Sequence, residues 1–408
     1  MTPRARVLLV VAALVISGAL VGAGTMLWHH RAPGVARAAA PAPCLVPGEP
    51  DGTAEGLRLL EGPSASSAVA SALAASRCFS HPASPNGAGL VVSTVGADGD
   101  KRCVVMVAAD EPARLQAALP PREASPMPVR GAFIGDRQIA WAARLAWVRE
   151  KGGSPVQCFD LTTGEVVWSL VATAAYDAGH VDRIAWGGQD GGGVLAVEAQ
   201  AATSSGWVRQ VIVLDLDAGS PRVLRTFATD SGERSVWPGL ALSPDGRRVF
   251  FQDGDTLCEA ELPQGPVRIV GSCTTAASAA LPSPDGRYWA EVDMGTRESL
   301  LCGMRILSVG GMSGHAGTGP VALEGTYEPF SVKWIDGTDM LLSAVAPSEA
   351  ARGELVVSTP DGKVRRVGPN GGTAPFNHGF WVLRGGKGAW RLSRMRTDTW
   401  TEEPLVLE

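Results

Sequence analysis

One turn sequence, Ser-Pro-Asp-Gly, constrains the fold more than any other feature of this chain. It occurs twice, each time between two short apolar runs, as Ser243, Pro244, Asp245 and Gly246 and again as Ser283, Pro284, Asp285 and Gly286. Proline presets φ near −65° at the second turn position, aspartate accepts hydrogen bonds from nearby amides, and glycine supplies a positive φ. A repeated hairpin of this kind predicts a repeat architecture.

Two kinds of hairpin alternate along the chain from about residue 88. Residues 240–251 are typical of the first kind, and residues 158–168 of the second. Two hairpins per unit give four antiparallel strands, which is one blade of a β-propeller. The units fall near residues 88–120, 131–171, 182–228, 237–271, 281–323, 330–368 and 376–408.

We therefore predict an all-β protein, a β-propeller of four-stranded antiparallel blades preceded by one transmembrane helix. Seven blades are favoured, and six is the alternative, because the first and last units could share one composite blade. A β-sandwich with a second domain is the competing fold.

The hairpins resemble the WD40-like repeats of the TolB-type β-propeller family. In that pattern a strand ending in Ser-Pro-Asp-Gly is followed by a basic residue and an apolar strand, as in residues 242–251 and 282–292. Residues 188–191 and 335–337 look like degraded copies, and residues 159–165 are similar to the outer hairpin of quinoprotein-type propellers. The resemblance implies fold rather than activity, since such families include periplasmic scaffolds and the non-catalytic propellers of peptidases.

The N-terminus carries a localisation signal. Arg4 and Arg6 precede an uncharged run of 22 residues, Val7 to Trp28, which as a helix would span roughly 33 Å, enough to cross a bilayer core. The flanking arginines favour a cytoplasmic N-terminus. We predict a cytoplasmic tail (1–6), an uncleaved anchor (7–28), an Ala/Pro-rich linker (29–51) and a propeller (52–408) outside the cytoplasm. A cleavable signal peptide ending near Ala38–Ala40 is the alternative.

The seven cysteines fit an oxidising compartment. They form no Cys-x-x-Cys pair, which argues against a zinc ribbon or a thioredoxin-type site. Cys258 and Cys273 fall on strands that we expect to be adjacent, so they are the first candidate disulfide. An odd total leaves at least one thiol unpaired within the chain.

No catalytic constellation, cofactor motif or metal motif emerges from the sequence. Residues 310–315 come nearest to a nucleophile elbow but carry His315 where the template has glycine. The six histidines are scattered, and the Asp-Gly turns lack the spacing of a calcium loop. A net charge of −5 argues against nucleic acid as a partner.

Aromatic and basic residues supply the remaining candidates for a surface. Trp141, Trp186 and Trp334 lie on first-hairpin strands, where we expect them to pack between blades. Four others are harder to place, and one or two of them could line a ligand surface: Trp207, Trp237, Trp390 and Trp400. A basic run without intervening acids is interpreted as a solvated strand face, with an anionic partner as the alternative: Arg384, Lys387, Arg391, Arg394 and Arg396.

These features favour a membrane-tethered, extracytoplasmic, monomeric propeller that binds a protein of the cell envelope or a ligand without catalysing a reaction. Two alternatives stay open at this point. One is a secreted hydrolase or lyase with its site at the propeller channel, and the other is a binder of glycans or small ligands.

Overall fold

A computed structural model describes the chain from residue 42 onward, with gaps. The described residues are 42–49, 55–75, 77–95, 101–108, 115–120, 130–142, 146–148, 154–189, 192–229, 239–254, 256–272, 278–283, 285–293, 307–311, 319–321, 328–337, 339–345, 353–358, 362–368, 372–385 and 389–407.

The described strands form seven separate antiparallel sheets, which we number in chain order. Three of them have five strands. In spatial order, sheet 1 is β2 (Arg58–Glu61), β6 (Leu115–Leu119), β5 (Lys101–Ala108), β4 (Gly89–Val95) and β3 (Arg77–Ala83). Sheet 2 is β1 (Leu45–Gly48), β11 (Val166–Ala172), β10 (Val156–Asp160), β8 (Gln138–Ala142) and β7 (Gly131–Ile134). Sheet 3 is β15 (Ser220–Thr229), β14 (Gly206–Asp215), β13 (Val194–Thr203), β12 (Ala178–Gly187) and β9 (Ala146–Val148).

The other four sheets have four strands each, in simple sequential order. Sheet 4 is β16 (Leu240–Leu242), β17 (Arg248–Asp253), β18 (Thr256–Glu261) and β19 (Val267–Ser272). Sheet 5 is β20 (Ser278–Pro282), β21 (Tyr288–Asp293), β22 (Leu307–Gly311) and β23 (Gly319–Val321). Sheet 6 is β24 (Glu328–Trp334), β25 (Asp339–Val345), β26 (Gly353–Ser358) and β27 (Val364–Gly368). Sheet 7 is β28 (Gly372–Phe376), β29 (Gly379–Arg384), β30 (Arg391–Arg396) and β31 (Glu402–Pro404).

The fold-class prediction is wrong as stated, because the blades are not all four-stranded. Sheets 1, 2 and 3 each carry a fifth strand, supplied by β2, β1 and β9 respectively. Leu45–Gly48, which we predicted to belong to the linker, is β1 and pairs with β11. The predicted N-terminal helix lies outside the described residues, and no helix among them is long and apolar enough to span a membrane.

Neighbouring sheets pack face to face in a closed order. Contacts between first-hairpin strands link sheet 1 to 2, 2 to 3, 3 to 4, 4 to 5 and 7 back to 1, through β3, β7, β12, β16, β20 and β28. Sheet 6 meets sheet 7 through β25 and β28. Sheets 5 and 6 meet where Trp334 Nε1 donates to the Leu281 carbonyl oxygen at 2.9 Å.

Face-to-face stacking explains why the middle strands are continuously apolar. Val249, Phe250 and Phe251 of β17 are all buried, because sheet 4 is covered on both faces. The outer strand β19, by contrast, has no fully buried residue, and its Ile269 is exposed. The repeated burial of successive residues is therefore a property of the stacked sheets, not of a single face.

Helix α1 (Gly62–Leu73) covers one side of sheet 1. The sequence predicts a short helix in this region but shows no clear apolar face. The buried positions recur at helical spacing, and three of them are small: Ala65, Ser66 and Ala72, beside Val69 and Leu73. The small side chains let the helix lie close to the sheet, which is why hydropathy alone obscures the face.

Candidate functional site

The two Ser-Pro-Asp-Gly turns share one hydrogen-bond pattern. Ser243 Oγ donates to Asp245 Oδ1 at 2.5 Å and accepts from the Arg248 amide at 2.9 Å. Gly246 has φ of +69° and donates its amide to the Ser243 carbonyl at 2.8 Å. The hydrogen bond from the Ser243 hydroxyl is the largest cause of the lowered pKa of Asp245. The two residues therefore hold the turn together from within.

The second copy repeats these contacts. Ser283 Oγ donates to Asp285 Oδ1 at 2.7 Å and accepts from the Tyr288 amide at 3.0 Å. Gly286 again has a positive φ, of +67°. Pro284 lies outside the described residues.

A third copy, which the sequence pattern did not reveal, lies at Ser84-Pro85-Asn86-Gly87. Ser84 Oγ contacts Asn86 Oδ1 at 3.1 Å and accepts from the Gly89 amide at 2.7 Å, and Gly87 donates to the Ser84 carbonyl at 2.9 Å. Asparagine takes the place of aspartate, so a search for the acidic form passes over it. A search that allowed either residue would have found it.

These turns also dock each sheet against the sheet before it. The Pro244 carbonyl accepts from the Gly188 amide of sheet 3 at 2.9 Å, and the Pro85 carbonyl accepts from the Asn377 amide of sheet 7 at 2.8 Å. A Cβ atom on Gly187 would clash with the Ser243 carbonyl oxygen, so the backbones approach as only glycine allows. The repeated turn is a structural element of the sheet interfaces.

Sheet 3 differs from the others in the length of its strands. β12, β13, β14 and β15 each have 10 residues, whereas β17, β18 and β19 of sheet 4 have 6. Arg209 Nη2 donates to the carbonyl of Gln252, one residue before β17 ends, at 2.8 Å. The β13–β14 turn therefore lies about three residues, roughly 10 Å, beyond the level of Gln252. We call the strand ends next to this turn, residues 178–181, 199–203, 206–210 and 225–229, the sheet 3 extension; Arg209 and Phe227 at its base still contact sheet 4.

The face of the extension toward sheet 4 carries aromatic and basic side chains. The Arg209 guanidinium stacks over the Phe227 ring at 4.3 Å, and the Trp207 ring lies 5.9 Å from that of His180. Trp207 and Phe227 are half-buried, while Ser204 and Ser205 at the tip are exposed. This is the described surface that most resembles a docking site, because half-buried aromatics next to an exposed turn offer both area and access.

Where the base of the extension meets sheets 2 and 4 lies a buried polar cluster, which we did not predict from the sequence. We call it the junction cluster, and its members are Arg130, His180, Asp182, Glu198, Gln200 and Arg209. His180 Nε2 lies 3.3 Å from Asp182 Oδ1, and Gln200 Nε2 donates to Asp182 Oδ2 at 2.9 Å. Asp182 sits at a β-bulge in β12, which turns its side chain toward Arg130 of sheet 2, 3.8 Å away.

Glu198 is the most buried carboxylate of the cluster, with 1% of its side chain exposed, and Arg209 Nε lies 3.4 Å from its Oε1. Desolvation raises the pKa of Glu198 to about 7, although Arg209 and Arg183 attract its charged form. Burial likewise lowers the pKa of Arg183, the residue directly opposite Glu198 on β12. The cluster joins sheets 2, 3 and 4, since Arg130 also donates to the Val181 carbonyl and Arg209 to that of Gln252.

The basic run at the C-terminus is paired with acids from the next strand. Arg384 contacts both carboxylate oxygens of Glu402, at 2.9 and 3.0 Å, and Arg394 lies 3.3 Å from Glu403. Arg396 pairs with Asp398 at 3.0 Å. The sequence showed no acids within the run, but β31 and its turn bring them alongside. These ion pairs weaken the case for an anionic partner at this surface.

The tryptophans divide between sheet interfaces and the sheet 3 extension. Trp141 is buried, and Trp186 Nε1 donates to the Gly192 carbonyl at 3.0 Å. Trp390 donates to the Ala75 carbonyl at 3.0 Å, so it packs inside rather than lining a ligand surface. Trp400 has φ of +56° and lies under the Arg365 guanidinium at 3.9 Å. Of the four tryptophans that were hard to place, Trp207 is the one that the structure places on the extension.

Several other predicted features fall wholly or partly outside the described residues. Cys258 is buried on β18, with its Sγ 3.9 Å from Thr256 Oγ1, but Cys273 is not described, so their disulfide stays a prediction. The same limit applies to Trp237, Lys387 and residues 312–315. In the part of the chain that is described, no three His, Cys, Asp or Glu side chains come together as a metal site requires.

No family model matches the sequence, and no curated protein matches it either. Among solved structures, the β-propeller domain of the Trilobed protease from Pyrococcus furiosus, described as having an open velcro topology, is similar. Its TM-score is 0.52 at 11% identity, over 81% of this chain and 98% of that one. An oligogalacturonate lyase from Vibrio parahaemolyticus has a TM-score of 0.50 at 12% identity, over 87% of this chain and 100% of that one. This chain folds as a β-propeller.

TolB from Acinetobacter baumannii also matches, with a TM-score of 0.39 at 15% identity, over 79% of this chain and 81% of that one. That similarity is too low to carry an argument, so membership of the TolB-type family stays a prediction. Sheets 2, 3 and 4 meet through β7, β12 and β16, which we call the inner strands, and Arg130 immediately precedes β7. The junction cluster therefore lies at one end of the inner strands, on the face where the extension projects.

Proposed function

We propose that this protein is a non-enzymatic binding scaffold of the cell envelope. In this proposal residues 7–28 anchor it in the membrane by a single pass, the propeller lies on the extracytoplasmic side, and a protein partner docks on the sheet 3 extension. The observation that carries the proposal is the projection of the β13–β14 turn past the level of Gln252, which presents half-buried Trp207 beside exposed Ser204 and Ser205, with Phe227 at the base of the same face.

Site-specific photocrosslinking in the native host tests the docking surface. A photoreactive residue replaces Ser205 at the tip of the β13–β14 turn. The matched control replaces Ala218, which is exposed at the opposite end of the same sheet. We expect a discrete adduct from position 205 that is absent from position 218.

A second variant ties the adduct to the aromatic surface. Adding Trp207→Ala to the crosslinker at 205 removes the largest side chain of the surface, so the adduct should fall at least tenfold. Equal adducts from positions 205 and 218, or an adduct insensitive to Trp207→Ala, would contradict docking at the extension.

The anchor and orientation need their own measurement. A cysteine introduced at Ser205 should react with a membrane-impermeant maleimide in intact spheroplasts, and the protein should stay in the membrane fraction after washing with carbonate. Deleting residues 7–28 should release it from that fraction. Labelling that appears only after lysis would overturn the extracytoplasmic placement.

A hydrolase or lyase is the second candidate, favoured by the approach of His180 and Asp182 to 3.3 Å at one end of the inner strands. One similar structure, at the level of fold alone, is an oligogalacturonate lyase. Assays of the purified propeller on acidic oligosaccharides, with His180→Ala as the control, test this candidate. Turnover that His180→Ala abolishes would replace the scaffold proposal.

A further inference from the structure

The junction cluster places a buried carboxylate between sheets that must separate for water to reach it. Glu198 lies on β13, and its side chain is covered by Arg209 of β14, which itself bridges to sheet 4. Glu198 Oε1 makes no hydrogen bond to any group among the described residues, and the Arg209 contact at 3.4 Å is an ion pair only. A carboxylate so placed is poorly solvated when charged.

Charges approach Glu198 from each described element packed against it. Arg183 and Asp182 lie beside it on β12, Arg209 on β14 and Arg130 just before β7. The titratable His180 contacts Asp182, and the Arg225–Asp253 ion pair links β15 to β17. The cations attract the ionised form of Glu198 and lower its pKa, whereas desolvation and repulsion by Asp182 raise it. Desolvation is the largest of these effects, so the pKa of Glu198 is raised.

We propose that the junction cluster is a proton-controlled latch, which holds the sheet 3 extension against sheet 4 while Glu198 is protonated and loosens it when Glu198 ionises. The latch regulates the docking surface proposed above, and in that respect it rests on the proposed function. The opening itself is a property of the propeller alone and needs no partner.

Linkage fixes the direction of the effect. The open state exposes Glu198 to water, where its pKa returns toward the ordinary 4.5, whereas in the packed state the pKa is about 7. Between these values the packed state binds more protons, so the packed state loses stability relative to the open state as pH rises. Opening should increase up to tenfold per pH unit from about pH 5 to pH 7 and then level off.

Arg209 is the residue through which the latch acts on the surface. It contacts Glu198, lies over Phe227 and donates to the Gln252 carbonyl of sheet 4. When water enters to solvate an ionised Glu198, Arg209 exchanges its bond to sheet 4 for water. Phe227, whose ring packs edge-on against Phe251 of sheet 4 with centroids 6.4 Å apart, then separates from sheet 4 and is uncovered together with Trp207.

Hydrogen exchange measured by mass spectrometry on the purified propeller tests the latch. After correction for intrinsic exchange rates, peptides covering residues 199–214 should lose at least tenfold protection between pH 5 and pH 7. Glu198→Gln, a neutral isostere, should keep these peptides protected at both pH values. The matched control is Glu259→Gln, which removes a buried carboxylate of sheet 4 that pairs with Arg248 and Arg268. It should leave the pH dependence of residues 199–214 unchanged.

A second variant separates a latch from a merely structural role. Arg183→Gln leaves the Arg209 bridge in place but removes an attraction that favours ionised Glu198, so the loss of protection should continue to a higher pH than in the wild type. The proposal is overturned if the wild type and Glu198→Gln show the same pH dependence, or if Arg183→Gln leaves its midpoint unmoved. Because exchange is measured without a partner, failure of the latch is distinct from failure of the crosslinking experiment.

Discussion

The interface between sheets 7 and 1 and the interface between sheets 3 and 4 hold the propeller together by different means. At the first, which we call the seam, Trp381, Leu383 and Ala374 pack with residues of α1 and sheet 1 in one apolar cluster. At the second, the junction cluster buries ionisable groups instead. Apolar packing is insensitive to pH, whereas buried charges are not, so the comparison separates a fixed contact from an adjustable one.

The largest effect should come from breaking the seam. Trp381 is 2% exposed, and its Nε1 donates to the Gly87 carbonyl at 3.1 Å. Trp381→Ala should cost about 3–5 kcal/mol of unfolding free energy, because it leaves a cavity and an unpaired carbonyl. Urea denaturation followed by circular dichroism measures the loss. The control, Trp400→Ala, removes a half-buried tryptophan at the edge of sheet 7 and should cost much less.

The next effect distinguishes the junction by its response to pH. The raised pKa of Glu198 means that its contribution to stability is present at acidic pH and is lost as pH rises from 4.5 to about 7. The unfolding free energy of Glu198→Gln relative to the wild type should therefore increase over this range, by on the order of 3 kcal/mol at most. Urea titrations at several pH values measure this difference. A difference that stays constant with pH would contradict the assignment.

A smaller effect tests whether the three serine turns are equivalent. Ser84→Ala, Ser243→Ala and Ser283→Ala each remove a hydroxyl that both donates and accepts within its turn. Each should cost about 1–2 kcal/mol of unfolding free energy, measured by urea denaturation. If Ser84→Ala costs far less than the other two, the turn at the seam is not a copy of the others.

The smallest effect belongs to the exposed pairs of sheet 7. Arg384→Ala removes an ion pair with a partly exposed Glu402, and the pair should contribute less than about 1 kcal/mol, decreasing with added salt. Arg384 also donates to the Val367 carbonyl, so Arg384→Lys serves as the control that keeps the charge. Urea denaturation at low and high salt measures the contribution. A large, salt-independent loss of unfolding free energy would show that this contact stabilises the fold as the buried seam does, and not as an exposed ion pair.

The repeated turns made the architecture predictable because each is encoded within a few neighbouring residues. The limits of prediction have equally physical causes. β1 has 4 residues in a Pro/Ala-rich stretch and becomes a strand only because β11 offers it an edge. The fifth strand of sheet 3, β9, has 3 residues and is likewise defined by its partner, β12.

The junction cluster could not be derived from the sequence for the same reason. Arg130, Asp182 and Arg209 belong to three strands or their flanks, and only sheet stacking brings them together. The one sequence signal for a buried polar cluster was Glu198, a carboxylate within a run of small apolar residues. Charged residues in such runs are rarely buried unless they have partners, so this glutamate was a marker of the cluster.

The seam also bears on the order in which the chain can fold. Sheet 1 is built from residues 58–119 and sheet 7 from residues 372–404, so the ring closes between the earliest and the latest parts of the chain. The Trp381–Gly87 and Trp390–Ala75 bonds join residues 294 and 315 positions apart. Each sheet except sheet 2, which takes β1 from residues 45–48, can form from a short stretch of newly made chain. Closure of the ring must wait for the final segment and must offset the entropy lost in closing a very long loop. A protein truncated before sheet 7 is thus expected to expose the apolar face of sheet 1 and α1, and to aggregate rather than persist as a shorter ring.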